Sequence, residues 1–396
     1  MKTFNIAIIG AGMIGAAHAS GYRAHQARLA SDQHQFVLHT VCDAREDAAR
    51  ELAKVWGFAH IASDWQAVIA DPEIDIVSVT LPNFMHAEVA TAALRAGKHV
   101  LCEKPLALTA AQAAEMTALA KASKGVSGSV FNYRRIPAVA MIKQLVENGE
   151  IGTLSHLLIQ YQCGYAADPL LPHSWRYTES KAGGGALHDI GAHAIDIARF
   201  FCGDISEIVG AATDTLITHR YLPLAANAGH NHVALSDRSE KVDTDDISSC
   251  VMRFRNGCQG LFSASRVTVG MGNTLSFTLT GSRGTILFNS ERPGELHIAR
   301  AEREGGAFIT LANQPSFPFL SDLIPVPHDG VAVGYAEGFG FMMAEFMQAV
   351  AEGKPWQKGA FSDGLAVAQV LEAIQLSSRE RRPVAIAEFN QGENHV

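Results

Sequence analysis

Residues 4–15, with the sequence FNIAIIGAGMIG, carry the strongest structural signal in this chain. An apolar run turns directly into a G-x-G-x-x-G motif and is followed by an alanine-rich segment that predicts a helix. In such a motif Gly10 permits a tight turn, Gly12 lets the backbone approach a pyrophosphate, and Gly15 lets the helix pack against the strand. The helix N-terminus then faces the phosphates. A lone motif of this kind also occurs in turns without a ligand, but the flanking strand and helix favour a dinucleotide site.

A second apolar run, residues 35–42, ends in Asp43. A carboxylate here accepts hydrogen bonds from the adenosine ribose and repels a 2′-phosphate, which favours NAD over NADP. Asp43 lies later than the usual spacing of about 20 residues, because residues 23–34 lengthen the first helix or its loop. Asp43 also fits the N-cap of a helix predicted over residues 45–56. Since Arg45 is a residue type that can bind a 2′-phosphate, NADP is the alternative to the predicted NAD.

Strand-like and helix-like periods alternate through the first third of the chain. The predicted strands are residues 4–9, 36–42, 74–80, 100–102 and 126–131, and the predicted helices are residues 14–24, 45–56, 65–69, 87–96 and 110–122. This alternation predicts a doubly wound parallel sheet with helices on both faces, that is, a Rossmann domain over residues 1–131.

Cofactor-binding residues are expected at the carboxyl ends of the strands, because open parallel sheets bind their ligands there. Four segments of the sequence meet at this edge: the glycine turn, the acid after the second strand, Leu81-Pro82-Asn83 and Glu103-Lys104-Pro105. The predicted cofactor-binding residues are Gly10, Gly12, Met13, Ile14, Gly15, Asp43, Arg45, Thr80, Pro82, Asn83, His86, Glu103 and Lys104.

The pattern changes after a helix predicted over residues 137–148. Strand-like runs become longer and richer in β-branched and aromatic residues, and turns such as Asn256-Gly257 join them. They occupy residues 154–162, 208–213, 247–255, 259–267, 275–279 and 284–288, and helical stretches follow near residues 337–351 and 362–377. We therefore predict a second domain over residues 132–396 with a mainly antiparallel open sheet. Residues 215–241 carry His219, His230 and His232 without metal-ligand spacing, and we expect a surface loop there.

Composition excludes several classes of protein. The chain has 396 residues, enough for two domains of ordinary size, and 47% of them are hydrophobic. Its formal charge of −8 comes without any basic run, which disfavours nucleic-acid binding. No apolar run approaches the roughly 18 residues of a membrane span, and the first residues carry no charged n-region or cleavage site, so we expect neither a membrane span nor secretion. The six cysteines are scattered without C-x-x-C pairs, so we expect reduced buried thiols and a cytoplasmic protein.

Two places offer catalytic side chains. Lys104 follows a parallel strand at the edge where the nicotinamide is expected, and its ammonium could hold or polarise a substrate hydroxyl. A solvated lysine that merely ends the strand is the structural alternative.

The second place is the block GGGALHDIGAHAID, residues 183–196. If residues 187–201 form one helix, Asp189, His193 and Asp196 lie on one face. An acid one turn before an imidazole can orient it and support its charged form, and the glycine run would let backbone approach a ligand. A structural histidine is the alternative for His193. No metal is predicted, because these residues lack further ligands.

Taken together in this order and spacing, the motifs resemble the Gfo/Idh/MocA family of NAD(P)-dependent sugar and cyclitol oxidoreductases. The resemblance rests on the glycine turn, on Leu81-Pro82-Asn83 followed by His86, on Glu103-Lys104-Pro105 and on the glycine-rich block from residue 183. It covers nearly the whole chain. It implies a catalytic set of Lys104, Asp189 and His193, and assembly as a homodimer or homotetramer.

Residues 131–137 and 174–176 resemble most closely the branch of that family that oxidises a ring hydroxyl of pyranoses, or of anhydrosugars such as levoglucosan, to a ketone. The resemblance implies that the catalytic set contacts the substrate together with Tyr133, Arg134, Trp175 and Arg176. Aromatic faces suit the apolar CH surface of a sugar. Packing beneath the site is the alternative role for these four side chains.

The mechanism that the resemblance implies is hydride transfer from a ring carbinol carbon to the nicotinamide. His193 would remove the hydroxyl proton, Asp189 would orient His193, and Lys104 would steady the developing alkoxide. Three alternatives remain: an inositol dehydrogenase, an NAD-dependent glycosidase that starts with the same oxidation, and a non-catalytic dinucleotide sensor. The glycosidase branch generally lacks the lysine, and a sensor should have lost both the lysine and the histidine.

Overall fold

The computed structural model describes residues 1–31, 33–224, 232–301, 306–312 and 334–393. Strands and helices alternate as predicted up to residue 147. The strands are β1 (Lys2–Ile9), β2 (His34–Cys42), β3 (His60–Ala62), β4 (Ile76–Val79), β5 (His99–Cys102) and β6 (Ser127–Ser129). The helices are α1 (Met13–Gln26), α2 (Glu46–Trp56), α3 (Trp65–Ala70), α4 (Asn83–Arg95), α5 (Ala110–Ala122) and α6 (Pro137–Glu147).

Local capping explains two of these boundaries. The Thr109 hydroxyl accepts a hydrogen bond from the backbone N–H of Gln112 and so caps α5. Gly57 ends α2 with φ of 74°, a left-handed conformation that glycine adopts without steric cost. These two ends agree with the helices predicted over residues 45–56 and 110–122.

The six strands of the first sheet run in the order β3-β2-β1-β4-β5-β6 and all pair in parallel. The predicted doubly wound parallel sheet is therefore confirmed. Strand order reverses between β1 and β4, and the crevice at such a reversal is where parallel sheets bind ligands. Strand β3 was not among the predicted strands.

The rest of the chain is built mainly of strands. They are β7 (Leu154–Gln162), β8 (Ile205–Asp214), β9 (His219–Pro223), β10 (Leu235–Lys241), β11 (Ile247–Phe254), β12 (Gln259–Ser265), β13 (Thr274–Gly281), β14 (Gly284–Asn289), β15 (Glu295–Arg300), β16 (Ile309–Ala312) and β17 (Val384–Ala385). The helices are α7 (Glu179–Ala182), a π-helix at Leu187–Gly191, α8 (Ala192–Cys202), α9 (Tyr335–Glu352), α10 (Phe361–Glu380) and 3₁₀ turns at Asn132–Arg135, Trp175–Tyr177 and Ile386–Glu393.

Within the described residues, nine strands form a second sheet in the order β16-β15-β14-β13-β7-β12-β11-β8-β17. Its pairs are antiparallel except β7 with β12, which is parallel, so the sheet is mixed and mainly antiparallel. Strands β9 and β10 pair separately. The expected surface loop over residues 215–241 is therefore wrong where these two strands lie, and His230 lies outside the described residues.

The described chain divides into two compact units. Residues 1–132 and 336–365 form the first, and residues 133–335 and 366–396 form the second. The predicted domains, residues 1–131 and 132–396, stay a prediction; in the structure, residues 336–365 belong to the first unit. They join the first unit because the apolar side chains of α9 and Trp356 pack into its core; these α9 residues are Phe339, Met342, Met343, Phe346 and Met347.

Candidate active site

The glycine turn of the first unit is shaped by close backbone contacts. Gly10 has φ of +113°, and a Cβ added to it would lie 2.5 Å from the carbonyl oxygen of Thr80. A Cβ on Gly15 would lie 2.1 Å from the carbonyl oxygen of Gly10. A Cβ on Gly12, in contrast, would meet nothing within 4 Å. Two of the glycines therefore pack strand, turn and helix together, and Gly12 leaves open space at the turn.

Helix α1 begins beside this open space. Its N-cap, Gly12, offers no side-chain oxygen to the first N–H groups, and its first turn carries no acidic side chain. Met13 is 75% exposed. An uncapped helix N-terminus attracts phosphate through its N–H groups and its dipole, so the turn fits the pyrophosphate of a dinucleotide. Gly12, Met13 and Ile14 are the residues that would approach it.

Asp43 stands at the carboxyl end of β2 and is tied to the glycine turn. Its Oδ2 accepts a hydrogen bond from the backbone N–H of Ala11 at 2.8 Å, and its Oδ1 accepts one from the N–H of Arg45 at 2.9 Å. The N-cap of α2 is Arg45, so the expectation that Asp43 caps this helix is wrong. The Arg45 Nε lies 3.7 Å from Asp43 Oδ1. The carboxylate is thus held where a ribose would lie in a Rossmann domain.

Two of the predicted cofactor residues brace the loops at this edge. The Thr80 hydroxyl donates to the carbonyl oxygen of Gly10 at 2.8 Å. The ring nitrogens of His86 lie 2.8 Å from the carbonyl oxygens of Leu81 and Pro105. His86 is buried, and burial lowers its pKa. These contacts join the loop after β4 to the loop after β5, and direct contact of Thr80 or His86 with the cofactor stays a prediction.

Pro82 and Asn83 begin α4, as its N-cap and its first residue. Asn83 is buried, with 9% of its surface exposed. Both residues lie at the carboxyl end of β4, which pairs with β1 at the reversal of strand order. Their predicted contact with the cofactor is compatible with this position and stays a prediction.

A buried acid holds the backbone of Lys104. The Glu103 Oε1 lies 3.1 Å from His18 Nε2, and the Glu103 Oε2 accepts the backbone N–H of Lys104 at 3.0 Å. His18 is completely buried. Lys104 is itself half-buried, directly after β5, and its peptide bond to Pro105 is cis. Glu103 therefore positions the backbone of Lys104, which follows β5 at the edge where parallel sheets bind ligands.

In the second unit the helix predicted over residues 187–201 is present, but its first turn is not α-helical. Leu187–Gly191 is a π-helix and Ala192–Cys202 an α-helix, so Asp189 and His193 lie on different helical windings. A π-turn closes i→i+5 bonds instead of i→i+4, and such turns are frequent at functional sites. The i, i+4 spacing of the sequence therefore does not place these two side chains as it would in a regular α-helix.

The start of this π-helix is fixed by Asp245. Its carboxylate accepts the N–H groups of Gly185 at 2.6 Å and Leu187 at 2.8 Å. A Cβ on Gly185 would lie 1.7 Å from the Asp245 carbonyl oxygen, and one on Gly184 would lie 2.4 Å from His188 Nδ1. The glycine run was expected to let backbone approach a ligand. In the structure it lets the chain approach Asp245 and His188, and its approach to a ligand stays a prediction.

The imidazole of His193 is buried against aromatic side chains. The ring of Tyr133 stands edge-on to it with 4.9 Å between centroids, and the ring of Tyr161 lies at 6.3 Å. The two tyrosine hydroxyls are 2.5 Å apart, and Tyr161 donates to Asn273 Oδ1 at 2.7 Å. Burial raises the pKa of both tyrosines, so they stay protonated. Tyr133 is 1% exposed, which matches packing beneath the site; contact with substrate stays a prediction.

The other predicted substrate residues divide into two groups. Arg134 and Asp196 form a buried ion pair, so Asp196 is held in the core of the unit. Trp175 and Arg176 are half-buried, and the Arg176 guanidinium lies 4.4 Å from the Trp175 ring centroid. That pair presents an aromatic surface and a cation together, which suits a sugar, and its contact with substrate stays a prediction.

Tyr165 was not singled out by the sequence analysis. Its hydroxyl donates to Asp189 Oδ2 at 2.6 Å. Tyr165 belongs to no motif, and 24 residues separate it from Asp189. The only signal in the sequence is its position shortly after the predicted strand at residues 154–162.

Two negative findings apply to the described parts of the chain. There, no group of three or more His, Cys, Asp or Glu side chains could hold a metal ion. None of the described helices combines the length and the apolar character that crossing a membrane requires.

Comparison with protein families gives matches to two family models. The model for the oxidoreductase family with an NAD-binding Rossmann fold matches residues 4–130. The model for the GFO/IDH/MocA C-terminal domain matches residues 139–287. The two matches fall on the parallel and the mixed sheet, respectively.

Known proteins resemble the chain over its whole length. Levoglucosan dehydrogenase of Pseudarthrobacter phenanthrenivorans is 36% identical over 98% of this chain and 100% of its own. Myo-inositol 2-dehydrogenase of Thermotoga maritima is 29% identical over 76% of this chain and 79% of its own. A solved structure of levoglucosan dehydrogenase in complex with NADH and levoglucosan superimposes with a TM-score of 0.88 at 35% identity, over 97% of this chain and 100% of that one.

Proposed function

Because the chain belongs to the Gfo/Idh/MocA family of NAD-binding oxidoreductases, we propose that it oxidises a ring hydroxyl of a pyranose, anhydrosugar or glycoside to a ketone, with NAD as acceptor. The observation that carries this proposal is the imidazole of His193, which is buried against tyrosine rings. His193 lies on the α-helix that directly follows the π-helix of Asp189. Full-length similarity to levoglucosan dehydrogenase supports the substrate class.

The residues of the first unit fit NAD. Gly12 and the uncapped start of α1 would hold its pyrophosphate, and Asp43 would accept hydrogen bonds from its ribose. NAD, when bound, supplies the acceptor for the hydride that leaves the carbinol carbon.

The side chains of this protein then handle the proton and the charge. His193 takes the proton of the substrate hydroxyl as a general base, and Asp189 orients the imidazole and supports its charged form. Lys104 donates hydrogen bonds to the oxygen on which negative charge develops. Half-burial of the lysine strengthens that interaction relative to one in bulk water.

The test is a substrate panel that follows formation of reduced nicotinamide. Pyranoses, anhydrosugars, glycosides and inositols are each offered with NAD and with NADP, and His193→Ala is the matched inactive control. We expect turnover with a pyranose, anhydrosugar or glycoside and NAD. Turnover with inositols alone would support the cyclitol dehydrogenase, and release of an aglycone from a glycoside would support the glycosidase. Binding of NAD without turnover of any substrate would overturn the proposal.

The same proposal includes a cytoplasmic homodimer or homotetramer. Leu158 of β7 and Leu261 of β12 are register partners and are 41% and 40% exposed on one face of the mixed sheet. An apolar pair on an open sheet face favours burial against another copy of the chain. Light scattering of the purified protein, with Leu158→Lys and Leu261→Lys as disrupting variants, tests the assembly.

A further inference from the structure

Tyr165 and Asp189 are joined by a short hydrogen bond. Tyr165 lies in the loop after β7, and its hydroxyl donates to Asp189 Oδ2 at 2.6 Å. Its ring packs against a small apolar cluster of the second unit, consisting of Ala166, Leu171, Tyr177 and Val242. One end of this side chain is thus anchored in a core and the other end holds a carboxylate.

The chemistry of the pair makes Tyr165 the donor at every working pH. Burial, reinforced by the charge of Asp189, raises the pKa of Tyr165 well above its ordinary value. A phenol that donates to a carboxylate forms a charge-assisted bond, roughly twice as strong as a neutral one. Such a bond restricts the rotation of the carboxylate.

The restricted rotation of the Asp189 carboxylate matters because Asp189 lies shortly before His193 in the same helical segment. Asp189 lies on the π-helix, which runs directly into the α-helix that carries His193. Side chains in a π-turn point in directions different from those in a regular α-helix. The orientation of the Asp189 carboxylate therefore depends on a tertiary contact rather than on helical spacing.

We propose that Tyr165 is a positioning residue of the sugar oxidation, which acts by holding the Asp189 carboxylate in the orientation that serves His193. This inference rests on the proposed function. Tyr165 acts through Asp189, so removing its hydroxyl should matter only while Asp189 is present.

The chain supplies a matched control in the same cluster. Tyr177 is 1% exposed, and among the described residues its hydroxyl makes no hydrogen bond. Tyr177→Phe therefore removes a buried phenol oxygen without touching Asp189. If phenol oxygens in this cluster had a purely structural role, both variants should change kcat to the same extent.

The experiment compares Tyr165→Phe with Tyr177→Phe. We expect Tyr165→Phe to lower kcat on the best sugar of the panel by about 10- to 100-fold, the usual effect of losing a hydrogen bond to a charged group. Tyr177→Phe should leave kcat close to that of the wild type. Both variants should match the wild type in NAD affinity and differ little in the midpoint of thermal unfolding.

A double-mutant cycle with Asp189→Asn isolates the coupling. In the Asp189→Asn background, Tyr165→Phe should change kcat by less than about twofold, because the partner is already altered. Multiplicative losses, equal effects of the two phenylalanine variants, or unfolding of Tyr165→Phe alone would overturn the inference and assign Tyr165 a structural role. A wild-type protein inactive on every sugar would instead overturn the proposed function, and this inference with it.

Discussion

Arg134 and Asp196 form a two-pronged ion pair in the core of the second unit. The Arg134 Nε donates to Asp196 Oδ2 at 2.7 Å, and its Nη2 donates to Oδ1. The side chain of Asp196 is 1% exposed and that of Arg134 is 9% exposed. Planar, parallel bonds of this kind fix the geometry of both groups. The pair joins the 3₁₀ turn after the first unit to the helix that carries His193.

Breaking this pair should destabilise the protein. Arg134→Ala or Asp196→Ala removes one member of this buried ion pair, and we expect a loss of about 3–5 kcal/mol in the free energy of unfolding. Arg253→Ala removes one member of an exposed pair with Glu207 and should cost less than about 1 kcal/mol. Calorimetry measures the free energy of unfolding of each variant. If Arg134→Ala is as stable as Arg253→Ala but loses affinity for the sugar, Arg134 is a substrate residue.

Lys104 and Lys98 flank the same strand and should behave differently. Lys104→Ala should reduce kcat by about 10²–10³-fold with little change in NAD affinity, because its ammonium acts on the substrate oxygen. Lys98 is buried, and its Nζ donates to the carbonyl oxygens of Asp71 and Ile74 at 2.6 and 2.7 Å. Lys98→Ala should therefore lower the unfolding midpoint and spare kcat in the folded fraction. Near-normal turnover of Lys104→Ala would mean that Lys104 has only a structural role at the end of the strand. It would also strengthen the glycosidase alternative.

Asp43 should control the choice of cofactor. Asp43→Ser removes the charge that repels a 2′-phosphate and the acceptor for the ribose, so kcat/KM with NAD should fall by about 10-fold or more while that with NADP rises. Asp64→Ser is the matched control, because Asp64 follows β3 and caps α3 by accepting the N–H of Gln66. Steady-state kinetics with both cofactors measures the ratio. A wild-type protein that prefers NADP would mean that Arg45, and not Asp43, determines which cofactor binds.

His99 should make stability depend on pH. Its Nδ1 accepts the backbone N–H of Val126 at 2.9 Å, which requires the neutral ring. Burial, and then the charge of Lys2, lower the pKa of His99, against a smaller opposing effect of Asp75. As the pH falls below about 6.5, the unfolded chain takes up the proton first. The contribution of His99 to stability is therefore complete above that pH and is lost as the pH falls through the lowered pKa of the folded state.

Thermal unfolding from pH 7.5 down to pH 5 checks this expectation. His99→Asn keeps an oxygen that can accept from Val126 but does not titrate, so its unfolding midpoint should fall less over this range than that of the wild type. His219→Asn changes an exposed histidine and should follow the wild type. Identical pH dependence of His99→Asn and the wild type would show that the Val126 contact survives protonation.

Local patterns were sufficient to predict most of the first unit. The glycine turn and the apolar strands before it and after it act over a few residues, so the parallel sheet and its ligand-binding edge could be derived from their spacing. The catalytic candidates Lys104, Asp189 and His193 could be identified from the sequence. The two matched family models confirm that the chain belongs to the family, and the roles of these three residues remain predictions.

Long-range contacts determined what spacing could not predict. Gly185 needs to be glycine because of Asp245, 60 residues later, and Tyr165 meets Asp189 across 24 residues. A helical stretch was predicted near residues 337–351, but its spacing did not show that the apolar side chains of α9 would pack into the core of the first unit. Periodicity specifies which face of an element is apolar, whereas its partner depends on how distant parts of the chain pack.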